Sequence, residues 1–395
     1  MLEGVNVALG VSGSIAAVKV VELAHELRRQ GASVRGVMTP AAQDIIHPWA
    51  LEFATERDVV TEITGRVEHV ELCGREGWAD VLLLAPATAN TVGKVAHAVD
   101  DTPVTTCATT ALGAGVPVVC TPAMHEPMYD HPGVLSALDQ LAAWGVSFVD
   151  PRVEEEKAKI ATEEAIVTGV ARAVSSHALA DRHVVVTAGA TAEPLDPVRL
   201  LTNRSSGRMG RALARACFVA GADVTLVHGT GSTKPDVDVH YADVEWVESA
   251  AEMLAATLDA CETADALASA AAISDFTVDA ASEKLRSGES RTLELAPTPK
   301  LLDSVRESHP DLAIVGFKTE TSGDDEAMAE EARRIMSRSG LAFVVANDAS
   351  VMGSEGTRAL VVTETSADAF EGSKPALSER LVEELARVLT DERAS

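Results

Sequence analysis

Short apolar runs alternate with amphipathic stretches along most of this chain. In the first half the runs span residues 5–10, 33–38, 80–85 and 116–120, and a helical spacing of apolar positions follows the first of them. Mostly apolar runs of this length are typical of strands buried on both faces. The pattern therefore predicts a parallel sheet with helices packed on both sides.

The same alternation restarts in the second half. The predicted strands occupy residues 183–189, 223–229, 264–272, 312–317 and 341–348. A predicted helix begins near Arg208, and residues 163–182 form another helix with a polar end between the two halves. We place the domain boundary near Ala180, which gives domains at residues 1–180 and 181–395. The predicted fold is α/β, with two doubly wound three-layer domains whose ligands bind at the carboxyl ends of the strands.

Composition narrows the function. The 395 residues are 46% apolar, enough for two packed cores, and the formal net charge of −27 is spread over both halves. Because an acidic surface repels phosphate backbones, we expect no nucleic-acid partner. No apolar run has the length of a membrane span and the N-terminal residues lack a signal-peptide pattern, so we expect no membrane partner and a cytoplasmic protein. Five scattered cysteines without a CxxC pair predict neither a zinc site nor a disulfide scaffold.

The first chemical signal is a Gly/Ser turn, "GVSGSIAAVK" at residues 10–19. Its glycines, Gly10 and Gly13, fit neither the GxGxxG pattern of dinucleotide-binding turns nor the Gly-Lys-Ser/Thr pattern of triphosphate-binding loops. Backbone N–H groups and the hydroxyls of Ser12 and Ser14 at a helix start suffice for one phosphate group. An ordinary strand-to-helix turn capped by serine has the same pattern. The residues of the turn alone leave both interpretations open.

Further segments follow the turn in a fixed order. They are "VMTPAA" at 37–42, "VEHVEL" at 67–72, "LLLAPATAN" at 82–90, "DDTPVTTCATTA" at 100–111 and "TPAMHEPMY" at 121–129. Together with the turn, they resemble the homo-oligomeric flavin-containing cysteine decarboxylases. The resemblance implies a flavodoxin-like domain that binds FMN and decarboxylates a C-terminal cysteine, with the flavin accepting a hydride from the cysteine side chain. The FMN contacts that it implies are Ser12, Gly13, Ser14, Thr39, Ala85, Thr88 and Thr105.

One histidine matches a catalytic residue of this resembled family, and a second replaces one of the family's substrate-binding residues. Its HxxL histidine, which is catalytic and lies near the flavin at a subunit interface, corresponds to His69. Its asparagine for the substrate carboxylate is replaced by His125, which can also donate a hydrogen bond. Bacterial relatives use a flap cysteine as proton donor, whereas this chain has no cysteine at residues 121–216. Lys157 and Lys159 are candidates to cover the substrate or donate a proton, or else are solvated loop charges.

A longer set of motifs in the second half resembles the phosphopantothenate–cysteine ligases, which implies a Rossmann-like ligase domain. The motifs are "VVVTAGATAEPLDPVRLLTNRSSGRMGRALA" at 184–214, "ASAAAISDFTVDAASEKLRSG" at 268–288, "VGFKTET" at 315–321 and "ANDAS" at 346–350. The resemblance implies that Asn203 contacts substrate and aids acyl-nucleotide formation, that Lys284 neutralises charge on phosphate or acyl-cytidylate, and that Asp275 binds Mg²⁺ or nucleotide. The full set of implied CTP contacts is Gly189, Ser206, Gly207, Gly210, Ala271, Ala272, Asp275, Lys284, Gly316 and Phe317.

Together the two resemblances identify the chain as a member of the bifunctional decarboxylase/ligase family of coenzyme A synthesis. The family implies that phosphopantothenate, cysteine and CTP are ligated with Mg²⁺, that the product is decarboxylated to 4'-phosphopantetheine with FMN, and that the chain forms a homo-oligomer, often a dodecamer. The missing flap cysteine motivates one alternative, an active ligase with a non-catalytic FMN-binding regulatory or scaffolding domain. A two-domain dehydrogenase is a second alternative, which the lack of GxGxxG disfavours.

Overall fold

The computed structural model describes residues 1–154, 157–286, 288, 290–320, 325–348 and 356–391. The chain divides into two compact units, Met1–Ser175 and Ser176–Ser395. Across these described ranges, no helix combines the length and the apolar character needed to cross a lipid bilayer.

The first unit is built on a parallel sheet. Its strands are β1 (Asn6–Val11), β2 (Ser33–Met38), β3 (Val81–Ala87), β4 (Val118–Pro122) and β6 (Ser147–Phe148). A small antiparallel sheet contains β5 (Met124–His125), β7 (Arg152–Glu154) and β8 (Lys157–Lys159). The main sheet has the order β2-β1-β3-β4-β6, and the order reverses between β1 and β3. This reversal is the flavodoxin-like arrangement and creates a ligand crevice at the carboxyl ends of those strands.

Helices surround this sheet, and polar side chains cap the start of several of them. The helices are α1 (Val20–Arg29), α2 (Pro40–Gln43), α3 (Pro48–Thr55), α4 (Glu68–Cys73), α5 (Ala89–Ala96), α6 (Pro103–Ala114), α7 (Glu126–Tyr129), α8 (Pro132–Ala143) and α9 (Glu163–Ala173). Thr39 and Thr88 cap α2 and α5 by accepting hydrogen bonds from backbone N–H groups. Both caps lie where a parallel strand ends, so capping also positions residues at the crevice.

The second unit contains an eight-stranded sheet. Its strands are β9 (His183–Ala190), β12 (Asp223–Thr230), β13 (Asp243–Val247), β14 (Ala266–Ser269), β17 (Ala313–Glu320), β18 (Phe343–Asp348), β19 (Gly356–Val362) and β20 (Ala367–Ser373). Two short pairs are β10 (Ala192–Pro194) with β11 (Leu200–Thr202), and β15 (Phe276–Thr277) with β16 (Ala296–Pro297). The sheet order is β13-β12-β9-β14-β17-β18-β19-β20. The strands are parallel from β13 to β18 and antiparallel beyond.

Helices pack on both faces of this second sheet. They are α10 (Arg208–Val219), α11 (Ala250–Cys261), α12 (Leu301–Ser308), α13 (Asp325–Ser339) and α14 (Lys374–Asp391). Val184 and Val186 belong to the core under α10 and α14, whereas Val185 belongs to the opposite core under α11. The alternation along one buried strand confirms the predicted doubly wound fold.

Candidate active sites

One buried serine joins the Gly/Ser turn of the first unit to the end of β3. The Oγ atom of Ser12, which is 1% exposed, donates a hydrogen bond to Pro86 O at 2.7 Å and accepts one from Thr88 N at 3.1 Å. Since β1 and β3 are neighbouring parallel strands, this serine fixes their two terminal turns relative to each other. The hydroxyl hydrogen of Ser12 is used within the protein, so its role is to build the predicted flavin site.

Gly13 lies where a side chain would collide with α2. An ideal Cβ atom on Gly13 would lie 2.5 Å from Cβ of Ala41 and 3.0 Å from its carbonyl carbon and oxygen. Thr39 caps the same helix by accepting a hydrogen bond from Ala42 N at 3.2 Å. The absence of a side chain therefore lets the turn approach α2, and Gly13 and Thr39 meet at the carboxyl ends of β1 and β2.

Ser14 links the turn to the segment that carries His125. Its Oγ atom donates to Ala123 O at 3.3 Å and accepts from Ala16 N at 3.3 Å. Ala123 N in turn donates to Ala87 O at 3.0 Å. The exposed His125 follows two residues later on β5, so the same edge of the sheet gathers the turn, the end of β3 and His125.

Two predicted flavin contacts also have structural roles. Thr105 is buried, and its hydroxyl completes a capping box at the start of α6, accepting from Thr102 N at 3.0 Å and donating to Thr102 O at 3.1 Å. Ala85 is fully buried within β3. Capping and core packing account for both residues, and their contact with FMN stays a prediction.

His69 is a half-buried residue of α4 with an unpaired ring nitrogen. Its Nδ1 atom is buried and has no hydrogen-bond partner among the residues that the structure describes. Its helix shares a core with α6, in which Cys73 and Cys107 are fully buried. Buried polar atoms of folded proteins are nearly always paired. The nitrogen therefore marks a position whose partner is an ordered water, a ligand or another copy of the chain.

The predicted flap forms a hairpin of β7 and β8 that pairs with β5. In this antiparallel register, Lys157 lies opposite His125 and Lys159 lies opposite Arg152. The side chains of both lysines are outside the described part of the structure. The backbone register alone brings the Lys157 position beside His125.

The predicted site of the second unit forms where β9 and β14 end. Gly189 O accepts a hydrogen bond from Ala272 N at 2.9 Å, and Ala271 and Ala272 are both partly buried. Asn203 donates from Nδ2 to Ala272 O at 2.7 Å, and its Oδ1 atom accepts from Ser205 N at 3.0 Å. One asparagine therefore joins the segment after β14 to the Gly/Ser turn before α10.

Two glycines bring the start of α10 against β9. Gly207 is the N-cap residue of this 12-residue helix and has a φ of 70°. An ideal Cβ atom on Gly210 would lie 2.5 Å from Cβ of Ala188. The positive end of the helix dipole thus lies at the carboxyl edge of the sheet, next to Gly189 and the exposed Ser206. Backbone N–H groups at such a helix start are suited to a phosphate chain.

Positive charge around this turn was missed in the sequence analysis. Residues 197–222 contain five arginines and no Asp or Glu, in a chain of net charge −27. One of them, Arg211, donates through Nη1 to Ser206 O at 3.0 Å and to Nε2 of His228 at 2.7 Å. Burial lowers the pKa of His228 to about 4, so the imidazole stays neutral beside the guanidinium. The sequence does carry a signal for this positive charge, because the segment is basic in an otherwise acidic chain.

Lys284 is exposed on a loop. The buried carboxylate of Asp196 holds the backbone of this loop in place. Asp196 accepts hydrogen bonds from the N–H groups of Val198, Arg199 and Leu285 and forms an ion pair with Arg199. Burial alone would raise the pKa of Asp196, but these bonds lower it to about 2. Arg199 also donates to Leu285 O at 2.9 Å. The Asp196–Arg199 pair, which sequence reasoning did not single out, thus holds the backbone next to Lys284.

Asp275, the predicted Mg²⁺ ligand, forms an ion pair with Lys300. The Oδ1–Nζ distance is 2.6 Å, and the two side chains are 71% and 59% exposed. In the described ranges, no group of three or more His, Cys, Asp or Glu side chains could hold a metal ion. A single carboxylate is enough for Mg²⁺ when phosphates and water supply the other ligands. Asp275 is therefore suited to bind a Mg²⁺ ion that arrives with a nucleotide. It would then lose its ion pair with Lys300.

Gly316 and Phe317 lie further along the same sheet edge. Gly316 on β17 is opposite Ser269 of β14, and β14 separates them from β9. Gly316 is buried and Phe317 is partly buried. An ideal Cβ atom on Gly316 would lie 2.7 Å from Cδ1 of Leu341, so a larger residue at this position would require the leucine side chain to move.

The two units match two different protein families. Residues 1–175 match the Flavoprotein family, and residues 179–389 match the C-terminal domain of the DNA/pantothenate metabolism flavoproteins. With their parallel sheets and edge sites, the two matches define a two-unit α/β flavoprotein of pantothenate metabolism.

Similar proteins specify the family further. The coenzyme A biosynthesis bifunctional protein CoaBC of Thermococcus kodakarensis is 46% identical over 391 residues, which cover 98% of this chain and 96% of the relative. The CoaBC protein of Bacillus subtilis is 34% identical over 371 residues, which cover 89% of this chain and 88% of the relative. A solved DNA/pantothenate metabolism flavoprotein from Streptococcus pneumoniae is 21% identical, with a TM-score of 0.48, and covers 52% of this chain and 99% of that chain.

The chain belongs to the family of coenzyme A biosynthesis bifunctional proteins. The predicted family, the α/β fold class and the pairing of a decarboxylase with a ligase activity are confirmed.

Proposed function

We propose that the first unit performs FMN-dependent decarboxylation of phosphopantothenoylcysteine, and that the second ligates cysteine to 4'-phosphopantothenate with CTP and Mg²⁺. One observation supports this assignment: each unit gathers residues of its own motifs at the carboxyl edge of its own sheet. In the first unit Ser12 bonds both Pro86 and Thr88, and in the second Asn203 bonds Ala272. We also propose that the boundary between the decarboxylase and ligase domains lies near Ala180.

The residues of the first unit fit an FMN group. The close approach of Gly13 to Ala41 leaves a turn without a side chain, suited to one phosphate, and the small residues at positions 85–88 can border a flat ring. The buried Nδ1 atom of His69 lacks a hydrogen-bond partner among the described residues, and a bound ligand can supply one. When bound, FMN would supply a temporary acceptor for a hydride from the cysteine side chain, and the product would regain this hydride and a proton once carbon dioxide has left.

The side chains around the flavin site bind the substrate and move protons. His69 exchanges a proton with the substrate through its imidazole. His125, exposed at the end of β5, donates a hydrogen bond to the substrate carboxylate. Lys157, whose backbone pairs with that of His125, and Lys159 cover the substrate or donate the proton that a flap cysteine gives in bacterial relatives.

The second unit binds CTP at the turn formed by residues 205–207. The carboxylate of phosphopantothenate attacks the α-phosphorus of CTP and pyrophosphate leaves. The amine of cysteine then attacks the acyl carbonyl carbon and CMP leaves. Asn203 orients the reacting groups, Lys284 neutralises negative charge, and Asp275 binds the Mg²⁺ that accompanies the phosphates. Gly316 borders the cytosine together with Phe317.

We also propose that the chain acts as a cytoplasmic homo-oligomer, with a dodecamer as the expected assembly. The first unit exposes large apolar side chains, of which Ile15, Trp49 and Phe53 are 76%, 74% and 77% exposed. Exposed apolar side chains of this size are suited to contacts between copies when they lie close together. Analytical ultracentrifugation tests this point, and a monomer at micromolar concentration would contradict it.

Product assays test the two activities separately. The purified protein should contain FMN and release carbon dioxide from synthetic phosphopantothenoylcysteine. With phosphopantothenate and cysteine, it should release pyrophosphate faster from CTP than from ATP, and only with Mg²⁺. FMN binding without carbon dioxide release would support the non-catalytic alternative for the first unit. Release of NAD on denaturation would support a dehydrogenase.

Separate alanine substitutions identify the proton donor of the first unit. Lys157→Ala or Lys159→Ala should slow carbon dioxide release if that lysine covers the substrate or donates the proton. Lys94→Ala is the matched control, because Lys94 pairs with Asp101 in the same unit. Equal rates for all three variants would refute a role for the flap lysines.

A further inference from the structure

A buried histidine outside the predicted site touches both glycines beside the nucleotide turn. His228 on β12 is 1% exposed, and its ring lies 4.8 Å from that of Trp246 between centroids. An ideal Cβ atom on Gly189 would meet Gly229 O and would lie 2.8 Å from Cε1 of His228, and one on Gly207 would lie 2.6 Å from Nε2 of His228. The imidazole therefore fills the space between two glycines that the motif alone attributes to a ligand.

The hydrogen bonds of His228 define its tautomer. Its Nε2 atom is 2.7 Å from Nη1 of Arg211, and its Nδ1 atom is 2.7 Å from Gly229 O. Because arginine has only donors, Nε2 accepts and Nδ1 carries the proton that is donated to Gly229. The ring is thus a neutral acceptor that holds one N–H group of Arg211 in place.

Arg211 connects His228 to the turn at residues 205–207 through a second hydrogen bond. The same Nη1 atom donates to Ser206 O at 3.0 Å. In a planar trans peptide the carbonyl and the following N–H point in opposite directions, so the N–H of Gly207 is turned away from Arg211. This N–H donates a hydrogen bond to Ser205 Oγ that is long, at 3.5 Å, so an anion that approaches the turn can replace the serine as acceptor.

We propose that His228 is a positioning residue of the ligase, which holds Arg211 on the carbonyl of Ser206 and thereby orients the N–H of Gly207 toward a phosphate of the nucleotide. This inference rests on the proposed nucleotide site of the second unit. His228 itself contacts no reacting atom, so its loss acts through the shape of the turn.

Two substitutions separate its two hydrogen bonds. In His228→Gln the side-chain oxygen can reach the place of Nε2 and still accept from Arg211. In His228→Asn the shorter amide can bond only Gly229, as Nδ1 does. Arg211→Met removes the donor while retaining a long side chain. Hydrogen exchange of the peptide covering residues 203–211 in the ligand-free protein reports on the turn, and initial rates with varied CTP report on nucleotide binding.

His228→Asn should speed exchange in this peptide and raise the KM for CTP about tenfold, the usual effect of one lost bond to a charged group, with kcat changed less than about twofold. His228→Gln should resemble the wild type, and the Arg211→Met/His228→Asn double variant should be no worse than Arg211→Met. Unchanged exchange in His228→Asn, or equal damage in His228→Gln, would overturn the positioning role. Altered exchange with an unchanged KM would overturn its link to the nucleotide.

If the wild type ligates with no nucleotide, the proposed function fails. The exchange data then still decide whether His228 positions the turn.

Discussion

Replacing Gly13 by alanine should displace the first turn and weaken flavin binding. The added Cβ atom would lie 2.5 Å from Cβ of Ala41 and 3.0 Å from its carbonyl carbon and oxygen. Carbon atoms in contact prefer about 3.5–4.0 Å, so the turn or α2 must move by about 1 Å. The contacted atoms are backbone and Cβ atoms of a capped helix, and no rotation of a side chain relieves the overlap.

The loss of stability and the loss of FMN affinity can both be estimated from this overlap. Overpacking of this kind costs about 1–3 kcal/mol, which lowers the Tm of a unit of this size by about 2–12 °C. A shift of the turn also weakens its N–H contacts with the FMN phosphate. Loss of one hydrogen bond to a charged group costs about 1.5–3 kcal/mol, so the Kd for FMN should rise roughly ten- to hundredfold.

Fluorescence titration of the flavin-free protein with FMN, together with thermal unfolding, measures both quantities. Gly113→Ala is the matched control, because an ideal Cβ atom on Gly113 of α6 meets nothing within 4 Å. This control should bind FMN like the wild type and be no less stable, since alanine is favoured over glycine in a helix. Wild-type FMN affinity and Tm in Gly13→Ala would refute the close-approach explanation and the flavin site built on it.

Three further predictions test other parts of the two sites. His69→Asn should keep FMN but lower the rate of carbon dioxide release by at least about 100-fold, the lower limit for loss of a general acid or base; an unchanged rate would refute a catalytic His69. The folded pKa of Asp196 is lowered to about 2, so its stabilisation is complete above its unfolded pKa near 4 and disappears as the pH falls through 2. Asp196→Asn should therefore lower the Tm of the second unit at pH 7 and much less at pH 2, and an equal loss at both would refute an ionised role. Lys300→Met frees Asp275 from its ion pair and should lower the Mg²⁺ concentration for half-maximal pyrophosphate release; an unchanged requirement would show that the two cations do not compete.

The central strands were predictable because burial on both faces leaves a continuous apolar run. The predicted strand at residues 183–189 lies within the central strand β9, His183–Ala190, which is buried along nearly all of its length. The predicted strand at residues 264–272 was too long at both ends, since β14 spans only Ala266–Ser269. Beyond it, Ala271 N donates to Thr187 Oγ1, so the chain turns toward β9. A run of small apolar residues carries no signal for that turn.

The antiparallel edge of the second sheet was not predicted. β20 follows the antiparallel β19, and most of its residues are exposed. An edge strand that buries little surface has no need of a continuous apolar run. The hairpin of β7 and β8 was missed as well, because its sequence, rich in Glu and Lys, is typical of a solvated loop.

The candidate sites depend on contacts that no sequence spacing reveals. Ser12 bonds Pro86 across 74 positions of the chain, and Asn203 bonds Ala272 across 69. The motif assigned Gly207 to the nucleotide, whereas the atom nearest to an added Cβ belongs to His228. A glycine in a motif can thus be required by the framework behind a ligand as well as by the ligand itself. Loss of flavin or nucleotide binding in a glycine variant therefore has two possible causes, and only a measurement of stability on the same variant separates them.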